Sequence, residues 1–209
     1  NLGSIFLNYF VIDQDEKREV DWEELERVVR LAVRFLDDVI EVNPFPLDQI
    51  RETVRSIRRV GLGVGGWADM LYLLGIPYNS EEALDLARKI MGKISESARD
   101  ESRKLAKERG AFPLWSESIY KDDGEPVRNG AITTIAPTGT IGIIANTSGG
   151  CEPVFALAYK HMVKDESINR EMYFIDPAFE AVAKREGFWS EELMAKVATK
   201  GNVGDLVEV

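Results

Sequence analysis

The chain has 209 residues, 44% apolar and 30% charged, enough to bury one sizeable core. Its 26 Lys and Arg against 36 Asp and Glu give a formal charge of −10, which argues against general nucleic-acid binding, because neutralising phosphates needs a basic face. The single cysteine excludes an internal disulfide and suits a reducing, cytoplasmic setting; the single histidine argues against a zinc site within the chain; and no apolar run approaches the ~18 residues of a membrane span.

The chain opens on Asn1-Leu2-Gly3 without a methionine and reads as a fragment, one piece over residues 1–209. Ile5 to Val11 is apolar and aromatic and suits a strand or extended segment, and Asp13 to Glu19 reads as a charged loop. Asp21 with Glu24 forms a capping box. The helix that follows places Leu25, Val28, Val29, Ala32, Phe35, Leu36, Val39 and Ile40 on one face and stops at Asn43-Pro44. Asp48 to Arg58 is a shorter helix. Val60 to Val64 is a buried strand, Trp67 to Leu74 a helix stopped by Gly75, and Ser80 to Arg109 a long helix with Gly110 as its terminating residue.

Ala111 to Asn129 is mostly loop. Ala131 to Ala136, β-branched and apolar, is a buried strand that ends in the turn Pro137-Thr138-Gly139-Thr140, followed by a short apolar segment, Ile141 to Ala145. Asn146 to Gly150 is a tight loop and Val154 to Val163 another strand. Pro177 to Glu186 and Glu191 to Thr199 are helices, so that 165–209 is a helical extension. Strands alternating with amphipathic helices give an α/β fold with mainly parallel pairing.

Four segments bear on chemistry. At the Pro137 turn, Gly139 lets a ligand approach the backbone, Thr138 and Thr140 bring hydroxyls, and a helix starting there would aim free N–H groups at an anion; alternatively one threonine simply caps that helix. Gly61, Gly63 and Gly66 match the spacing of a dinucleotide motif. However, the acidic residues about 20 positions on, Glu81 and Glu82, begin a helix rather than end a strand, so close strand packing is the better reading. Cys151 beside Glu152 is either a nucleophile or a small packed side chain in a turn; Glu152 either orients the loop or lines a site. Arg51, Arg55, Arg58 and Arg59 either steer an anion or form a solvated helix end.

Taken in order, Asn1-Leu2-Gly3-Ser4-Ile5, Arg34-Phe35-Leu36-Asp37-Asp38, Gly61-Leu62-Gly63-Val64, Leu74-Gly75-Ile76-Pro77-Tyr78, Thr134-Ile135-Ala136-Pro137-Thr138-Gly139-Thr140-Ile141 and Ser148-Gly149-Gly150-Cys151-Glu152-Pro153 resemble the catalytic subunit of ribonucleotide reductases. The likeness covers about residues 1–165, and its style is that of the adenosylcobalamin-dependent class. It implies an α/β fold forming the second half of a ten-stranded barrel. It implies a substrate diphosphate site at Ala136, Pro137, Thr138, Gly139, Thr140 and Ile141.

The family replaces the ribose 2′-hydroxyl with hydrogen by cysteine-radical chemistry. The resemblance puts the radical and redox cysteines upstream of Asn1, so no catalytic residue and no metal ligand is expected in this chain, and Cys151 matches neither role. Adenosylcobalamin and an external dithiol are the implied cofactor and reductant. A ribonucleoside diphosphate, the upstream half of the barrel and a second copy in a homodimer are the implied partners, with no membrane and no nucleic acid. Two other readings stand beside this one: a non-catalytic nucleotide-binding or assembly fragment, and a phosphate-binding α/β barrel isomerase or lyase. The last needs a base or lysine at a strand end, where only Lys160 offers itself.

Overall fold

The computed structural model describes residues 1–14, 17–122, 124–165, 168–204 and 206, and the backbone alone over 160–165 and 168–173. The chain forms two compact units, Asn1–Ile5 with Val20–Val64 and Glu81–Ala136, and Phe6–Glu19 with Gly65–Ser80 and Pro137–Val209. No helix among the described residues is long and apolar enough to cross a membrane.

The first unit is built on a strand ladder and two long helices. β1 (Leu2–Phe6) pairs with β4 (Gly61–Gly65). The segment expected as a strand at Ala131–Ala136 joins β4 on its other side through a parallel bridge, Leu62 to Thr133. The Leu62 amide donates to the Ile132 carbonyl at 2.7 Å and the Thr134 amide to the Leu62 carbonyl at 3.0 Å. The glycines of β4 are there for this packing: a Cβ on Gly61 would lie 2.5 Å from Leu2, and one on Gly63 would lie 3.1 Å from the Thr134 carbonyl oxygen.

α1 (Trp22–Val42) starts where expected, with the Glu24 amide donating to Asp21 at 3.0 Å. The Glu24 carboxylate pairs with Arg27 instead of returning to the cap. Leu25, Val29, Leu36 and Ile40 are buried as the period requires, but Phe35 is exposed and Val33 and Asp37 take the buried face. α2 (Asp48–Ile57) ends at Arg58, which adopts a left-handed φ of 52°. α4 (Glu81–Arg109) packs along α1, with Arg34 bridging Glu101 at 2.8 Å and Glu108 at 2.9 Å.

A buried charge cluster ties these pieces together. The Asp37 carboxylate, fully buried, receives Arg58 Nη2 at 2.8 Å and Asn129 Nδ2 at 3.0 Å on one oxygen, and Arg109 at 3.2 Å and Arg128 at 3.3 Å on the other. Asn129 is fixed in turn by Ser102 at 2.9 Å. Burial alone would raise the Asp37 carboxyl, but hydrogen bonds and charge from Arg58, then Arg128 and Asn129, outweigh it and hold the group below the usual carboxylate range. Arg58 is therefore neither an anion-steering group nor part of a solvated helix end. Arg51 and Arg55 pair with Asp48 and Glu41.

In the second unit the expected charged loop at Asp13–Glu19 is instead largely β2 (Val11–Gln14) and β3 (Lys17–Val20), which pair; Asp15 and Glu16 lie outside the described residues. Leu7–Phe10, expected as extended, is a turn of 3-10 helix against α3 (Trp67–Leu74). α5 (Gly139–Ala145) follows the Pro137 turn. β5 (Ala158–Asp165) begins four residues later than expected and pairs antiparallel with β6 (Ile168–Ile175), a strand at the head of the stretch read as a helical extension. α6 (Pro177–Glu186) and α7 (Glu191–Lys200) follow as expected, packing Phe179, Ala183, Leu193, Met194 and Val197 around Ala158. The strands described form three two-stranded sheets and no closed barrel.

Removing Asp37 leaves buried Arg58 without its main partner. We expect Asp37→Ala to cost about 3–5 kcal/mol in equilibrium urea unfolding; a loss below ~1 kcal/mol would show that the cluster does not hold this unit. Because the folded carboxyl lies below its unfolded value, its contribution is present above about pH 4 and is lost as the pH falls through the folded pKa. Asp37→Asn should flatten that acid limb.

Candidate functional site

The segment 131–136, expected as a buried strand, makes a single bridge to β4 at Thr133 and buries none of its residues fully; it delivers the chain to Pro137, and the backbone then reverses at Thr138, a non-glycine residue with φ 54°. Such a conformation is held only when its surroundings over-determine it. Here Thr138 is buried, and its Oγ1 accepts the Gly150 amide at 2.7 Å. Its carbonyl accepts the Gly142 amide at 2.7 Å, the first intrahelical bond of α5. No side chain caps α5. The amides of Gly139, Thr140 and Ile141 open the helix, where an α-helix leaves its N–H groups without intrahelical acceptors.

The candidate residues therefore divide by environment. Thr138 faces inward and works as a structural acceptor. Pro137, Gly139, Thr140 and Ile141 are exposed, and Ala136 is half-buried at the end of the first unit. Gly139 has open space around it: a Cβ there would meet no atom within 4 Å. Unlike the glycines of β4, it is not demanded by packing within the chain, and its φ is not left-handed.

The loop 146–150 is the floor of this turn. The Thr147 amide donates to the Gly142 carbonyl at 3.0 Å, and a Cβ on Gly149 would lie 3.0 Å from the Pro137 carbonyl oxygen. A cavity of about 350 Å³ opens beside it, lined among others by Pro137, Gly139, Ser148, Gly149, Glu152 and Asp176. A larger hollow of about 560 Å³, by Tyr72, Phe155 and Lys200, contains none of the turn's residues, and we assign no ligand to it.

Cys151 is exposed, not packed as expected; the turn is held through its carbonyl, which accepts the Tyr78 hydroxyl at 2.8 Å. Glu152 lines the cavity. The side chains of Lys160 and His161 lie outside the described residues. Among the described residues no three His, Cys, Asp or Glu side chains converge as a metal site.

Sequence reasoning missed Asp69 and Asp176. Asp69 is almost wholly buried on α3, and its Oδ2 accepts the Thr147 hydroxyl at 2.7 Å and the Ser148 amide at 2.9 Å. The signal was a single acid inside the apolar run Trp67-Ala68-Asp69-Met70-Leu71. Asp176 caps α6, accepting the Phe179 amide at 2.8 Å, and its place before Pro177 was legible as a cap.

In this α/β protein an uncapped helix start, an open glycine and a floor of small residues lie beside one cavity. The solved alpha subunit of the class Id ribonucleotide reductase of Actinobacillus ureae has the same fold, with a TM-score of 0.72 at 24% identity, over all of this chain and 36% of that one. The profile of the family described as "Ribonucleotide reductase, barrel domain" matches residues 1–126 and 121–209. The chain belongs to the ribonucleotide reductase barrel-domain family. It is 45% identical over 203 residues to the "Vitamin B12-dependent ribonucleoside-diphosphate reductase" of Mycobacterium tuberculosis, and 46% identical over 204 residues to the protein of the same name in Thermoplasma acidophilum. These matches cover 97% of the chain but only 28% and 26% of those relatives, so the chain spans little more than a quarter of their length.

Since Thr138 Oγ1 is the acceptor for a buried amide, we expect Thr138→Ala to cost about 1–3 kcal/mol of stability, whereas exposed Thr140→Ala stays within about 0.5 kcal/mol. Parallel urea unfolding curves check this; equal effects would show that the two hydroxyls are equivalent after all.

Proposed function

We propose that this chain is part of a ribonucleoside-diphosphate reductase of the cobalamin-dependent kind, and that residues 136–141 hold the diphosphate of its substrate. The observation that carries the reading is the open space at Gly139 over the first turn of α5. A glycine that its own chain does not crowd leaves room for a phosphate to reach the amides of Gly139, Thr140 and Ile141. The Thr140 hydroxyl adds a donor. No lysine is needed, which agrees with the acidic balance of the chain.

In this reading the chain is one continuous piece, residues 1–209, of the second half of a ten-stranded barrel. The upstream half of the same barrel brings the radical and redox cysteines. Adenosylcobalamin supplies the radical and an external dithiol the electrons. No residue of this chain is assigned to that cofactor and no step is drawn through it. What this chain does is bind and orient: it fixes the diphosphate so that the ribose is presented to groups carried elsewhere. The complete enzyme acts in the cytoplasm as a homodimer. Identities of 45% and 46% to two reductases named as vitamin B12-dependent support the class.

The test is nucleoside diphosphate reduction by the full-length protein with a dithiol, with and without adenosylcobalamin. Turnover only with the cobalamin is expected; turnover that needs a metal-bearing partner subunit instead would overturn the class, and none with folded protein would leave a phosphate-binding domain. In the same protein, Gly139→Ala should keep or raise the melting temperature, since alanine favours a helix by up to ~1 kcal/mol over glycine. It should nevertheless weaken diphosphate binding about tenfold or more, and Thr140→Ala should cost roughly 1.5–3 kcal/mol of affinity. Unchanged affinity in both removes the diphosphate assignment.

A further inference from the structure

Asp69 is only 1% exposed, and its two carboxylate oxygens have different surroundings. Oδ2 holds the loop, through Thr147 and Ser148. Oδ1 is buried and has no hydrogen-bond donor among the described residues, a costly state for a carboxylate oxygen. The neighbouring acid is Asp176, at the start of α6 and on the wall of the 350 Å³ cavity, whose carboxyl comes within hydrogen-bonding reach of the Asp69 carboxyl. α3 and α6 pack together, with Asp69 enclosed and Asp176 half-buried at the cavity wall.

From Asp69 the contacts lead straight to the turn. Thr147 Oγ1 also lies 2.9 Å from Asn8 Oδ1 in the 3-10 turn, and the Gly66 amide at the start of α3 donates to the Ser148 carbonyl at 2.9 Å, so the loop is gripped from both elements. Its far side carries the Thr147 amide bonded to Gly142 and the Gly150 amide bonded to Thr138. Gly66, with φ +67°, leaves no room for slack: a Cβ there would lie 2.2 Å from Asn8 and 2.7 Å from Thr147.

We propose that Asp69 and Asp176 form a proton-sharing carboxyl pair that positions the substrate-phosphate turn: the single proton between them satisfies Asp69 Oδ1, holds α6 on α3, and lets Asp69 clamp the 147–150 loop beneath Pro137, Thr138 and Gly142. The assignment rests on the reading of that turn as a diphosphate site. Asp69 and Asp176 are positioning residues, since neither reaches the turn's exposed amides except through the loop.

Burial, then the charge of Asp69 beside it and the hydrogen bond between the two, push the Asp176 carboxyl up to about 7. The other titratable groups around the pair are Tyr72 on α3, whose phenol is pushed up by burial and then by both acids, and Glu152 and Tyr159 along the cavity wall. The folded value of Asp176 lies above its unfolded one. The stabilisation from the shared proton is therefore full in acid and is lost as the pH rises through about 7, where two adjacent carboxylates repel.

The experiment measures the Kd of a nucleoside diphosphate for the full-length protein from about pH 5.5 to about 8.5, a range that brackets the titration. Asp176→Asn copies the protonated acid: it still caps α6 and still donates to Asp69. We expect wild type and Asp176→Asn to bind alike at the acid end, and wild type to bind several-fold more weakly at the alkaline end. Taking their ratio cancels the titration of the ligand itself. Asp69→Ala should raise the KM for the diphosphate about tenfold while changing kcat less than about threefold. A flat ratio across the range, or an unchanged KM in Asp69→Ala, overturns the pair's role even when Gly139→Ala still weakens binding. If Gly139→Ala and Thr140→Ala bind normally, the phosphate reading itself falls and the pair's role goes with it.

Discussion

The buried carboxylate of Asp37 is the constraint on which the first unit depends. A charge taken wholly out of water needs partners, and three arginines and an asparagine converge on it from the end of α2, the end of α4 and the segment 128–129. The first and last of these are the points at which the chain enters β4 and the bridged segment at 131–134. The cluster therefore places the two backbones that bond to each other through Leu62, and the second of them runs directly into the Pro137 turn. Arg58 shows how tight the demand is: it accepts a left-handed backbone, rare outside glycine, to deliver its guanidinium to Asp37.

Glycine serves two opposite purposes here. In β4 it allows neighbouring strands to approach, and a methyl group at Gly61 or Gly63 would strike Leu2 or Thr134. At Gly139 a Cβ would meet no atom within 4 Å among the described residues, the room that our reading gives to a phosphate. The two kinds look identical as letters. Only the surrounding atoms separate a glycine that protein packing requires from one that it does not.

Buried acids are also handled in two ways. In the first unit arginine neutralises Asp37 and holds its carboxyl down. In the second, Asp69 and Asp176 face each other, and the carboxyl of Asp176 rises until it keeps its proton near neutrality. The first arrangement is insensitive to pH over the physiological range. The second titrates within it, and it lies beneath the turn that we read as the substrate site.

Much was legible in the amino-acid sequence because it is a local matter. Asp21 capping α1, Pro44 ending it, Gly75 and Gly110 closing helices, and Pro177 opening α6 each act on the few residues around them. The order of six short motifs identified the family, and the Pro137 turn stood out by its residue chemistry. Partnership across long stretches of chain was decided by the tertiary structure alone. Periodicity expected Phe35 on the buried face of α1, but Asp37 is buried instead because Arg58, Arg109 and Arg128 arrive from distant segments to pair with it. A charged stretch became β2 and β3 because each strand had the other to pair with, and β6 formed against β5 for the same reason. Thr138 and Thr140 differ only in which way the fold turns them. Asp69 and Asp176, 107 positions apart by number (176 minus 69), meet only once α3 and α6 are packed.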